Sequence, residues 1–291
     1  MANLKEVRTR MASVKTTRQV TSAMKMVSAS KLRRAQEAII RIRPYADKLF
    51  EILSNLSESL DSLEDNPYAV DRGFNKILIV SINSNRGLCG AFNTNVNRKA
   101  LQLISDDFSE QLQNGNVDVL AVGKNTFDFF RRRNINVVNE NDLYNNLDFD
   151  HVSPVVEAIM KSFVDGKYDK VYLVYNEFKN AATQLLRTEQ FLPVVKVETK
   201  NSATNVDYLF EPSKEEIIKD LIPKSLKIQF YKALLDSNAA EHGARMTAMH
   251  QATDNATDLL KALSLQYNKA RQASITNEIL EIVSGAEALN G

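Results

Sequence analysis

The residues best placed to do chemistry lie in the turn Asn83-Ser84-Asn85-Arg86-Gly87-Leu88-Cys89-Gly90, which follows the apolar run Lys76–Ile82. A glycine-bearing turn after a buried strand is where an α/β protein cradles phosphate on backbone N–H groups. The spacing does not fit that use, because glycines stand only at 87 and 90, short of a dinucleotide fingerprint. A second candidate, Gly123-Lys124, has Asn125 where a P-loop needs Ser or Thr and Asp118 where it needs its first glycine. Gly87 and Gly90 are therefore expected to serve a tight turn and close helix packing. Cys89 has the chemistry of a nucleophile, yet no His is near it in sequence, so a semi-buried structural thiol is expected. His151, His242 and His250 are too few and too scattered for a zinc set. A single Cys excludes an internal disulfide and fits a reducing cytoplasm. Arg131-Arg132-Arg133 is expected to complement a helix C-terminus or to form a solvated face. The residues present no catalytic set, and no cofactor or metal site is expected.

The elements that carry these residues alternate. Strands are expected at 76–82, 118–122, 136–138 and 171–178, with helices near 89–105, 124–133 and 152–164. Such alternation implies a mainly parallel sheet covered by helices. A turn at Asn180-Ala181-Ala182-Thr183 and a return strand over Gln184–Pro193 add an antiparallel edge.

Both ends of the chain read as very long helices. Residues 2–63 hold no Gly and one Pro, Pro44; residues 213–284 hold one Gly, Gly243, and one Pro, Pro223. At ~1.5 Å per residue they extend roughly 90 and 105 Å, against a central body roughly 40 Å across. A 3-4 track runs through Leu4, Val7, Met11, Val14, then Leu32, Ala35, Ile39, Ile42, Ala46, Leu49, Leu53, Leu56, Leu60 and Leu63. Between the two stretches the track meets Arg18, Thr21, Lys25 and Ser28, and a phase shift of the seam to Val20, Met24 and Val27 is expected. Pro44 is expected to kink the helix or remove one hydrogen bond. In the C-terminal segment Ile228, Tyr231, Leu235, Met249, Ala252, Ala256, Leu259 and Leu263 share a track, interrupted by Asn238, His242 and Arg245. Pro212, Ser213 and Glu216 form a helix-start signal.

The expected fold is α/β: a long antiparallel two-helix coiled coil plus a central Rossmann-like domain, divided as 1–65, 66–211 and 212–291. Paired positions should sum to about 276, since both helices rise equally per residue. Residues after about 273 then have no partner helix, yet carry Ile275, Ile279, Ile282 and Val283.

The net charge of +1 hides a polarity. Residues 1–44 hold eleven Lys/Arg against two acids, and residues 45–73 hold two bases against seven acids. A basic helix suits nucleic acid, an anionic membrane surface or acidic protein loops. No aromatic residue occurs in 1–44, which removes base stacking and weakens the nucleic-acid reading. No apolar run approaches the ~18 residues of a membrane span.

Three blocks in this order resemble the gamma subunit of F-type ATP synthases. They are Arg10–Val14 with Thr21–Gln36, then Ser84–Asn93, then Ile275–Ala288. The resemblance implies the central shaft of a rotary motor, coupling ion flow through a membrane c-ring to ATP chemistry on a ring of alpha and beta subunits. The epsilon subunit is a further implied partner, nucleic acid is not, and the implied location is peripheral, on the cytoplasmic face of the bacterial inner membrane. It further implies a stator-contact belt of Met24, Lys25, Lys31, Arg33 and Arg34, facing acidic loops of beta. Ile275, Thr276, Glu278, Ile279, Ile282, Val283, Gly285 and Ala286 become a bearing tip, and Arg86, Gly87 and Gly90 the family's turn motif. The alternatives are a coiled-coil scaffold or a nucleic-acid-binding protein with an α/β domain.

Overall fold

The computed structural model describes residues 4–58, 66–144, 146–194 and 214–290. The chain divides into two compact units: Met1–Ser28 with Met246–Gly291, and Ala29–Arg245. Helices α1 (Leu4–Glu58) and α6 (Lys214–Asn290) each contribute to both. The seam positions Leu60 and Leu63 and the helix start at Pro212-Ser213 lie outside the described residues.

In the first unit the seam of α1 does not shift. Leu4, Val7, Met11, Val14, Arg18, Thr21, Lys25 and Ser28 are all buried or half-buried, whereas Val20 and Val27 are 52% and 57% exposed. The expected phase shift is therefore wrong, and polar side chains occupy seam positions. The facing stretch of α6 presents Ala252, Thr253 and Ala256. Small facing residues suit half-buried Arg18 and Lys25, since long charged side chains can pack their aliphatic stems and keep their heads in water. The Thr253 hydroxyl lies 2.8 Å from that of Thr21, where the pairing rule puts residue 21 opposite about 255. Leu259 also departs from its expected place: it is exposed, and Leu260 takes the seam with Leu263. From Ile275 to Glu287 every residue is exposed.

The second unit is built on a five-stranded sheet. The strands are β1 (Ile77–Ile82), β2 (Val117–Val122), β3 (Asn136–Asn139), β4 (Lys170–Phe178) and β5 (Gln184–Leu192), in the order β3-β2-β1-β4-β5. All neighbours are parallel except the β4–β5 pair. Helices α2 (Phe92–Asp107), α3 (Ser109–Gln113), α4 (Lys124–Arg131) and α5 (Phe149–Val164) connect them. Alternation along β1 feeds two cores. Leu78, Val80 and Ile82 pack with α5 and with Ile222, Leu226, Phe230 and Leu234 of α6. Ile77 and Ile79 pack with Val96, Ala100 and Ile104 of α2 and Phe130 of α4. The α5 helix starts at Phe149, earlier than its apolar pattern suggests, because the Asp148 side chain accepts the His151 N–H at 2.9 Å. Pro44 lies inside α1, and the helix continues through it. The carbonyl its ring leaves without a helical donor is that of Ile40, an exposed residue, so water can serve it.

The two helices run antiparallel here. Arg43 of α1 lies 3.8 Å from Asp236 of α6, and Lys31, earlier in α1, acts electrostatically on Glu241 and His242, later in α6. Asp236 is 1% exposed, and its Oδ1 accepts no hydrogen bond among the described residues. Burial pushes its carboxyl up to about 6; Arg43, Lys232 and a backbone hydrogen bond at Phe178 pull it down, and Glu177 pushes it up.

Gly123 joins β2 to α4 with φ at 119°. A Cβ there would stand 2.4 Å from Asn83 O and 2.7 Å from its carbonyl carbon. The backbone after β1 thus occupies the space into which a phosphate-binding Gly123-Lys124 loop would open. Gly87 differs: a Cβ there would meet nothing within 4 Å.

Two outcomes test this packing. Gly123→Ala should lower the unfolding free energy by about 3 kcal/mol, since strain and a backbone clash combine, whereas Gly87→Ala should stay within about 0.5 kcal/mol; urea unfolding of both variants is the measurement. Asp236 supplies the second. Its native carboxyl titrates above its ordinary value of 3.8, so the native chain binds the extra proton and the group's contribution to stability is lost as pH rises through about 6. Relative to wild type, Asp236→Asn should gain stability as pH rises from about 4 to about 6 and keep a constant margin above that. Urea curves for the two chains that keep a constant separation across that range would show no such linkage.

Candidate functional site

The turn after β1 is held by a web of short polar side chains. Asn83 Nδ2 donates to Asn93 O at 3.1 Å and to Asn97 Oδ1 at 3.0 Å. Thr126 Oγ1 donates to Asn97 Oδ1 at 3.0 Å, and Asn125 Nδ2 donates to Ser84 O at 2.7 Å. Asn85 Oδ1 accepts the Lys124 N–H at 2.9 Å, and Asn141 Oδ1 accepts that of Gly123 at 3.1 Å. Asn, Ser and Thr suit this task because each short side chain can satisfy backbone groups that strand and helix ends leave open. Within the turn, Leu88 and Gly90 take left-handed φ values of 65° and 61°. Gly90 thus serves the tight turn as expected. Gly87 needs neither a positive φ nor space for a neighbour, so the expected close packing at Gly87 is not found.

Cys89 is 1% exposed, and burial pushes its thiol up from the ordinary range. A protonated thiol is a poor nucleophile; this one accepts from Asn93 Nδ2 at 3.2 Å and lies 3.8 Å from Arg86 O.

Sheet order reverses between β1 and β4, and a crevice opens at such a point outside the carboxyl ends of the strands. Here α6 enters it. Ser237 Oγ donates to Ile82 O at 3.5 Å, and Arg245 Nη2 donates to Arg86 O at 3.1 Å and Gly87 O at 3.4 Å. Arg245 Nη1 is paired with Glu241, and both residues are buried. Burial, with Arg245 and Lys31 nearby, pushes His242 down to about 4, so it stays neutral at physiological pH. The sequence signal for this cluster is the interruption of the α6 track at Asn238, His242 and Arg245, which reads there as a gap in the seam.

The remaining predicted residues lie elsewhere. Met24 and Lys25 belong to the first unit and are half-buried. Lys31, Arg33 and Arg34 belong to the second and are exposed, with Arg33 3.1 Å from Glu37. Ile275, Thr276, Glu278, Ile279, Ile282, Val283, Gly285 and Ala286 lie in the exposed last turns of α6, with Ile282 72% exposed. Thr276 Oγ1 donates to Gln272 O and Ser274 Oγ to Glu278, both along the helix itself. Arg133 caps α4 by donating to Phe129 O at 3.0 Å while stacking on that ring.

No described helix is long and apolar enough to cross a membrane. The ATP synthase family profile matches residues 3–289. The chain is 55% identical to the ATP synthase gamma chain of Cytophaga hutchinsonii and 54% identical to that of Christiangramia forsetii, with all of each chain covered in both cases. Its fold resembles a chain of the Euglena gracilis mitochondrial ATP synthase, solved with OSCP, F1 and the c-ring, at a TM-score of 0.69, 22% identity and coverage of 98% of this chain and 94% of that one. Full-length identity above half, with the helix pair and parallel sheet of that fold, means that this chain belongs to the ATP synthase gamma-chain family.

Proposed function

We propose that the chain is the central shaft of a rotary ATP synthase and carries no catalytic, cofactor or metal site of its own. The observation that carries this reading is the run of exposed apolar residues from Ile275 to Val283 at the end of α6 in a member of the gamma-chain family. Apolar side chains that no described residue of their own chain covers call for burial in another protein. The sleeve of the alpha and beta ring is the partner the family supplies, and the segment acts there as a bearing. The α/β body (66–211) is the part that meets the epsilon subunit and the c-ring, and segments 1–65 and 212–291, which carry α1 and α6, form the shaft, peripheral to the cytoplasmic face of the membrane. The assembly of the Euglena relative with F1 and a c-ring supports the alpha and beta ring and the c-ring as partners. Occupation of the strand-end crevice by Ser237, Glu241 and Arg245 supports the absence of a nucleotide site. Coupling then works through differential contacts: each beta subunit meets a different face of the shaft and takes a different conformation.

Two measurements follow from this reading. Backbone amides of 275–287 should exchange quickly in the free chain, because a helix end without tertiary packing has little to hold it. They should become protected on assembly with alpha and beta. Slow exchange in the free chain, unchanged on assembly, is the outcome that removes the bearing. For the belt, Lys31→Glu with Arg34→Glu should leave the free chain as helical as wild type, since exposed charges contribute only about 1 kcal/mol or less. The same double variant, with Lys25 retained, should lower ion transport per ATP in the complex; a wild-type ratio there would remove the belt from the mechanism.

A further inference from the structure

Helix α5 leaves part of its face of the sheet uncovered, and a cleft of about 330 Å³ lies between it and the β3 side. That volume suits a small ligand. The floor is Leu78, Leu120 and Val138, one residue from each of β1, β2 and β3, and the wall is Pro154, Val155 and Ala158 of α5. No described residue fills it: Val138 is 42% exposed, and Pro154 and Ala158 are exposed as well. One end carries a cation. Lys167 Nζ lies 5.1 Å from the Tyr168 ring and makes no ion pair among the described residues. The Lys167 N–H donates to Ser162 O at 2.9 Å, which brings Ser162 to the same end, and the Ser162 hydroxyl has no partner among the described residues. The neighbouring Asp118 has both oxygens engaged, by Tyr168 Oη at 2.7 Å and Asn136 Nδ2 at 2.6 Å. The other end carries the half-buried carboxyl of Glu140, also without an ion pair among the described residues.

The two ends are a fixed distance apart. Tyr168 is tied to Asp118, and Asp118 pairs with Asn136 on the strand that leads to Glu140. At ~3.3 Å per residue the ends stand roughly 13 Å apart. An extended tripeptide spans about 10 Å, and an ion-pair contact at each terminus closes the rest. An apolar guest would leave both charges without partners. An amphiphile with one charged head would satisfy one end and set a like or empty group against the other. We propose that the cleft binds a small zwitterion with an apolar middle, its carboxylate toward Lys167 and Ser162 and its ammonium toward Glu140. A short apolar peptide and an ω-amino acid share that chemistry. None of these residues belongs to the belt, the bearing or the turn motif, and the site does not depend on the shaft reading.

Methyl NMR of the full chain, with Leu and Val methyls labelled, is the measurement. Trivaline should shift the methyls of Leu78, Leu120, Val138 and Val155 saturably. Capping one end, as N-acetyl-trivaline or as the trivaline amide, should weaken binding about fivefold, the upper range for an exposed ion pair. Triglycine, which lacks the apolar middle, should bind at least about tenfold more weakly. A probe with the same ends and no amides, ω-aminooctanoate, separates the sources: tighter binding than trivaline assigns the site to ω-amino acids, weaker binding to peptides. Glu140→Gln and Lys167→Ala should each weaken trivaline about fivefold. Lys167→Glu alone should do the same or more, whereas Lys167→Glu with Glu140→Lys should restore binding with the peptide reversed, a rescue that a merely structural role would not give. Ala158→Phe puts a ring into the cleft from an exposed position and should abolish binding. The capped peptides act on the wild-type chain, so they decide the matter even where a variant fails to fold. Trivaline that leaves these methyls unmoved overturns the site. Binding that survives Ala158→Phe, or that triglycine matches, belongs to the β3 edge or to the exposed turns of α6 and overturns it equally. Equal binding of capped and uncapped trivaline overturns the zwitterion.

Discussion

Everything in the α/β body is arranged around one constraint: the backbone groups at the carboxyl end of β1 must find partners. A parallel sheet leaves such groups facing a crevice, and related folds fill it with a ligand. This chain fills it with itself. Asn83, Ser84, Asn93 and Asn97 satisfy the turn from within, and Ser237 and Arg245 satisfy it from α6. Gly123 is required because the backbone at Asn83 passes too close for a side chain. The architecture of a binding site has become the socket for a helix.

The helix pair of the first unit obeys a different economy. A seam of large aliphatic residues would buy stability through girth. Here Arg18, Thr21, Lys25 and Ser28 take seam positions, opposite a stretch of α6 bearing Ala252, Thr253 and Ala256. Polar residues at such positions fix register at some cost in stability, and the Thr21–Thr253 contact is of that kind. Val20, Met26 and Val27 are left facing outward from the same helix.

Much of the fold was legible because it rests on periodicity. The strands at 77–82, 117–122 and 170–178 announce themselves as buried runs, and the 3-4 track of α1 continues unbroken from Leu4 to Leu49. The misreadings share one cause. The seam was expected to follow apolar residues, so Arg18 and Lys25 were displaced from it and Val20 and Val27 put in their place; a small-residue partner reverses that preference, and one helix alone does not reveal it. The slip from Leu260 to Leu259 is the same ambiguity at one residue. Asp236 and Arg245 were illegible for another reason. Their partners, Arg43 and the carbonyls of Arg86 and Gly87, are far away in sequence, and the interruption of the α6 track at Arg245 marks a gap in the seam without naming what fills it.

The sheet has one further property, at its β3 side. That edge strand is four residues long, begins and ends with exposed asparagines, Asn136 and Asn139, and ties Asn136 to Asp118 of the neighbouring strand at 2.6 Å. Long, flat, apolar edges recruit strands from other molecules and seed aggregates. A short edge closed off by side-chain amides offers a poor template for that recruitment. The exposed apolar turns at the end of α6 are thereby not joined by a second adhesive surface.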